Sequence, residues 1–213
     1  MGPMPERCSL QGRHVHLLPM GPEHVDGLLA AATADRSTFD YTPVPWDRAG
    51  MTAYVEAAMA RQESGHHEPF VTWSVRAQRI VGSTRFYDLA TWDWSSHSPG
   101  TDAVRRHGRP DVAGIGYTWL EPSAQRSPIN TEAKLLMMTY AFETWEVRVV
   151  RIQTDARNAR SRRAIERLGC TLDGIIRAER PAADGGVRDT ATYSMLHREW
   201  PVHRQRLVDR LGK

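Results

Sequence analysis

The chain has few cysteines, no long apolar run and no repeat. Only Cys8 and Cys170 occur in 213 residues, near opposite ends and without the spacing of metal ligands. Free thiols are therefore expected, not a disulfide framework or a zinc site. No stretch is long and apolar enough to span a bilayer, and the first residues lack the charged and apolar segments of an export signal. No membrane anchor or secretion is indicated, and a cytoplasmic protein is expected. Low-complexity tracts and inter-domain linkers are also missing, so one domain over residues 1–213 is expected, long enough to bury a substantial core. The pair His66-His67 follows a predicted helix without further ligands at metal spacing; it reads as a polar loop, and no metal is expected.

The composition, 40% hydrophobic and 25% charged, is that of an ordinary globular domain. Charge is divided unevenly. Residues 1–144 carry 13 Lys+Arg against 16 Asp+Glu, whereas residues 145–213 carry 15 against 9. The basic half includes Arg157, Arg160, Arg162 and Arg163 around one predicted helix start. That cluster suits a polyphosphate, or simply a solvated face. It lacks the interleaved aromatics and motifs that would favour nucleic acid.

The chemistry concentrates between Asp111 and Cys170. Residues 112–120 form an apolar, aromatic-rich run of strand length, stopped by Glu121-Pro122. After the polar loop Gln125–Asn130, a helix is expected from Thr131, with Ala133, Leu136, Met137, Tyr140 and Ala141 at helical spacing. A second strand, 149–154, leads into Asn158-Ala159-Arg160-Ser161 and a helix ending at Leu168-Gly169. Each helix start offers unpaired amides and the positive end of a dipole to an anion. Upstream, strands are expected at 13–20, 70–76 and 79–87, with helices at 22–34 and 49–64, the second capped by Asp47. Downstream, strands at 172–179 and 187–196 flank an Asp184-Gly185-Gly186 turn, and a helix over 199–211 closes the chain. Residues 88–110 read as a long insertion, of the kind that is usually functional or disordered.

The Gln-Arg-x-x-x-Asn-Thr-Glu-Ala-Lys loop and helix, the Asn-x-x-Ser after the next strand, and the Glu-Arg-Leu-Gly close resemble the GCN5-related N-acetyltransferases. The opening Leu10-x-Gly12-x-x-Val15-x-Leu17-x-Pro19 is similar to their Rim-type branch. The resemblance implies an α/β fold with a mixed, mostly antiparallel seven-stranded sheet flanked by helices. Its two central strands, here 112–119 and 149–155, would splay to hold acetyl-CoA. It also implies direct transfer of the acetyl group to a primary amine on a protein N-terminus or a small molecule, and a possible homodimer.

Under the resemblance, Gln125, Arg126, Ser127, Ile129, Asn130 and Thr131 correspond to the pyrophosphate loop and helix start. Pro128 and Asn130 stand where the family places glycines, and Pro128 has no N–H to offer. A backbone amide near Trp119 or Leu120 would hold the thioester carbonyl. Asn158 is either a helix cap or a pantetheine ligand, and both roles are compatible. Arg163 would add charge for the cofactor, and Ser161 would protonate the departing thiolate. Gly114 occupies the position of the family's usual glutamate, so the general base falls to Glu179, unless that residue only pairs with Arg177 or Arg180. Asp35, Asp40, Asp47, Asp93 and Asp102 could attract a cationic amine. A catalytically silent acyl-CoA-binding module is the alternative, supported by Pro128 and Gly114.

Overall fold

Alternating apolar strands and amphipathic helices assemble one mixed sheet with helices on both faces. The computed structural model describes residues 8–93 and 109–212. Its sheet has the order β1 (Leu10–Gln11), β2 (Val15–Pro19), β3 (Glu68–Ser74), β4 (Arg79–Ala90), β5 (Val112–Leu120), β6 (Val149–Asp155), β8 (Val187–Leu196) and β7 (Thr171–Pro181). Every neighbouring pair is antiparallel except β5 and β6, which run parallel across a helical connection. The sheet has eight strands and not seven. The additional one, Leu10–Gln11 against His16 and Leu17, is too short to leave a periodic signal. The insertion expected at 88–110 begins inside β4, and residues 94–108 lie outside the described residues.

Among the described residues five α-helices flank the sheet: α1 (Val25–Thr33), α2 (Arg48–Glu63), α3 (Pro128–Thr139), α4 (Ala159–Leu168) and α5 (Trp200–Leu211). Two cores lie on opposite faces of the sheet, Phe70 and Val81 turning to one and Val71 and Ile80 to the other. One gathers Leu28, Phe39, Met51, Val55 and Trp119 under α1 and α2. The other gathers Phe70, Phe86, Met137, Phe142, Ile165, Tyr193 and Leu207 among α3, α4 and α5. Among the described residues no helix is long and apolar enough to cross a membrane. Both cysteines are free, Cys170 buried.

Local signals fix most helix ends. Asp47 accepts the Gly50 amide at 2.7 Å, and Gly169 ends α4 in the left-handed conformation, φ 97°. One start differs from expectation. α3 begins at Pro128, with the Ser127 hydroxyl accepting the Ile129 amide at 3.3 Å. Proline suits the first helical position, where its fixed φ is right and its missing N–H breaks no helical bond. Asn130 and Thr131 therefore lie within the first turn and cap nothing. At its far end α3 passes into a π-helical turn, Tyr140–Thr144, which no local signal announces.

Candidate active site

β5 and β6 pair only over Val112–Gly114 and Val149–Arg151. Beyond Gly114 they diverge, as the splayed-strand expectation requires. A bulge in β5 opens the gap: Arg85 faces Gly116 and Ser83 faces Trp119, so three steps on β5 match two on β4. Tyr117 takes the left-handed conformation there, φ 51°. Across the pair, a Cβ on Gly82 would overlap the Trp119 carbonyl oxygen, so only glycine lets β4 approach the bulge.

Both helix starts stand at the open end, α3 after β5 and α4 after β6. In α3 the orphan donors reduce to the Ser127 and Asn130 amides, because Pro128 has none and Ile129 is taken by Ser127. Arg126, exposed and left-handed at φ 57°, turns the chain into this helix. Gln125 is structural as well. Its amide donates to Leu120 O at 2.9 Å and to Thr38 Oγ1 at 2.8 Å, and Arg160 bridges Gln125 Oε1 and Thr38 O. The two helix starts are thus tied to each other through the loop after α1. The side chains of Trp119, Leu120 and Ile129 are buried in the cores, so any part they take in a site is through the backbone.

In α4, Asn158 accepts the Ser161 amide at 3.0 Å and caps the helix. The Ser161 hydroxyl is half-buried and has no hydrogen-bond partner among the described residues. Arg163 and Thr131 are likewise unengaged by any side chain, the first exposed and the second half-buried. Glu179 is paired with Arg180 at 2.7 Å and accepts from Thr190; these contacts hold its carboxyl below the usual range, Arg180 foremost. The Cys170 thiol is pushed up to about 12 by burial, which disqualifies it as a nucleophile.

The position expected to carry a glutamate is covered. A Cβ on Gly114 or Gly116 would run into the Tyr87 ring from β4. Near that ring the structure assembles Tyr54 and Arg61 of α2, His67, Arg85 of β4 and Tyr117 of β5; sequence reasoning reads Tyr117 as a core or substrate-wall residue and misses Tyr54, Arg61 and Arg85. His67 is buried against the Tyr87 and Tyr117 rings and does not belong to a polar loop. Burial, then Arg85, Arg61 and His66, lowers its pKa to about 4, so it is neutral at pH 7. Two of the loop acids are engaged locally. Asp35 accepts the Ser37 amide at 2.9 Å and Asp47 caps α2. Asp102 lies outside the described residues. A separate groove of about 860 Å3, lined by Arg151, Thr192 and Ser194 among others, runs along the closed end where β5 and β6 pair. Among the described residues no three His, Cys, Asp or Glu side chains group as metal ligands.

The pieces fit a long anionic thioester. Two helix starts stand at the open end of the gap, and the second carries Ser161 and a surplus of arginine. Comparisons agree with that arrangement. A sequence profile described as the acetyltransferase (GNAT) domain matches residues 14–171. YdaF of Bacillus subtilis (strain 168), whose name assigns it provisionally as a ribosomal N-acetyltransferase, is 36% identical over 88 residues. That match covers 41% of this chain and 47% of the relative, so the chain matches about half the length of its curated relative. A GCN5-related N-acetyltransferase from Brucella melitensis superposes with TM-score 0.80 at 28% identity, covering 98% of this chain and 87% of that one. A protein from T. thermophilus, provisionally described as an acetyltransferase, superposes with TM-score 0.76 at 28% identity, covering 99% and 100%. The splayed strands, the two helix starts and the profile match spanning most of the chain lead to one conclusion: this protein belongs to the acetyltransferase (GNAT) family.

Proposed function

We propose that the chain transfers an acetyl group from acetyl-CoA directly to a primary amine. The supporting observation is the gap beyond Gly114, with a bulged strand on one side and, after β6 on the other, the start of α4 that carries the partner-free Ser161 hydroxyl. In this reading the Ser127 and Asn130 amides, with Arg126 beside them, bind the pyrophosphate. Asn158 and Arg163 flank the pantetheine path. A backbone amide at Trp119 or Leu120 donates to the thioester oxygen and stabilises the charge that develops there. The acceptor nitrogen attacks in its neutral form, the C–N bond forms as the C–S bond breaks, and Ser161 gives its proton to the departing sulfur. Glu179, or water held by it, takes the proton from nitrogen. Its depressed pKa makes it a weak base, so an acid limb due to it would fall below the ordinary 4.5.

A second reading, a silent acyl-CoA-binding module, draws on the covered Gly114 and on Pro128. Thiol release from acetyl-CoA with a panel of amines separates the two. Amine-dependent release is expected. Tight binding of acetyl-CoA with no release from any amine would favour the silent module.

A further inference from the structure

Arg85 is 3% exposed. Its guanidinium lies between the rings of Tyr117, at 4.2 Å, and Tyr54, at 5.0 Å. Among the described residues it makes no hydrogen bond and no ion pair, and its Nε is buried without a partner. Such an arrangement is unusual, because a desolvated guanidinium costs several kcal/mol unless a carboxylate or phosphate meets it. Two aromatic faces offset part of that cost. They leave the planar fork of donors, which matches a carboxylate or phosphate edge on, unfilled.

The neighbours add positive charge. Arg61 donates to the Tyr117 hydroxyl at 3.1 Å. Arg180 and Arg188, from the β7–β8 hairpin, act on Tyr87, and Arg180 acts on Tyr117. The carboxylates of the flanking elements are engaged or exposed, and the buried Glu68 beside His67 accepts from Gln62 Nε2 at 2.9 Å. Glu179 is held by Arg180 and Thr190, Asp155 is held by Arg157, and Asp88 beside Tyr87 is exposed. His67 is neutral. A polyamine or a lysine-rich segment would meet repulsion here.

The position matters as much as the charge. Arg85 pairs in register with Gly116, and Tyr117 lies in the bulge against β4, just past Gly114, the last β5 residue that pairs with β6. An anion seated on Arg85 therefore leaves a nitrogen a few bonds away at the opening between the strands. We infer that Arg85, assisted by Arg61, binds an anionic group of the acceptor, so that preferred acceptors are primary amines carrying their own carboxylate or phosphate, with their organic body against the Tyr117 ring. This rests on the transfer reading above and narrows its acceptor.

Matched acceptors test it: an α-amino acid against its amide and methyl ester, and an aminoalkyl phosphate against the corresponding amino alcohol. Thiol release should favour the anionic member of at least one pair by tenfold or more in kcat/KM, mainly through KM. Whether the acid or the phosphate shows the larger ratio identifies the anion. Arg85→Gln should bring that ratio close to one while acetyl-CoA affinity stays unchanged, and Arg85→Lys should retain part of it; thermal melts check that both variants fold. Calorimetric titration of the same pairs covers the case in which no acceptor turns over. A preference for the anion would then keep this inference while the transfer reading fails. Equal binding of acids and amides, an anion preference surviving in folded Arg85→Gln, or better turnover of peptides with neutral first residues would each overturn it.

Discussion

Lys134 is one of two lysines in the chain, and it is buried under the bulge. Its ammonium donates to Thr84 Oγ1 at 2.9 Å and Thr118 Oγ1 at 2.7 Å, with no carboxylate among its partners. Burial lowers its pKa from 10.5 to about 7. Below about 7 both folded and unfolded chains hold the proton, and the full cost of burying the charge weighs on the fold. Between about 7 and 10.5 the unfolded chain binds more protons, so stability contributed by this site rises with pH. Lys134→Met should therefore be more stable than the parent near pH 6, by ~2–4 kcal/mol, with the gain shrinking towards about pH 10. Urea unfolding at both pH values measures this, and a pH-independent difference would show that no charge penalty resides there. Ser161 makes a different demand. Asn158 caps α4 through the Ser161 amide, so Ser161→Ala should melt at nearly the parent temperature. Its turnover should fall by roughly 10²–10⁴ if the hydroxyl protonates the leaving sulfur. Wild-type turnover with fast product release would remove Ser161 from that role.

Elements whose ends depend on one local residue are legible from sequence. Asp47, Asn158 and Gly169 each act within one turn of themselves, so composition and spacing place them. The same holds for the half of the site made by helix starts. The start of α3 is harder to place, because Pro128 reads as a break until the preceding Ser127 is seen to supply the cap. The aromatic and arginine cluster is not legible. Tyr54 and Arg61 come from α2, His67 from just before β3, Arg85 from β4 and Tyr117 from β5, and only the tertiary fold brings them together. Gly82 belongs to the same scale, since its role is visible only across the β4–β5 pair. Gly82→Ala should push β4 off the bulge, destabilising the fold by about 1–3 kcal/mol and weakening acetyl-CoA binding through loss of the gap's shape. Thermal unfolding and calorimetry report the two effects separately. A variant with parent stability and affinity would mean that the close approach at Trp119 does not shape the site.

Over the whole molecule, the β7 edge stands out. Leu172, Ile175 and Ile176 are each more than 40% exposed on that strand, and an unprotected apolar edge is a template for another chain. Pairing of two copies through this edge is the prediction to test. Sedimentation should detect it, and Ile176→Lys should shift it to monomer; a parent protein that stays monomeric at high concentration would rule the edge out. The opposite end of the sheet is secured from a distance. Glu132 of α3 is buried, and its carboxylate accepts the backbone amides of Arg13 at 2.9 Å, His14 at 2.6 Å and Val15 at 3.0 Å. These partners lie 117 to 119 positions away along the chain. During synthesis the turn between β1 and β2 therefore emerges from the ribosome long before its anchor exists. Those three amides gain their acceptor only once Glu132 of α3 has been made.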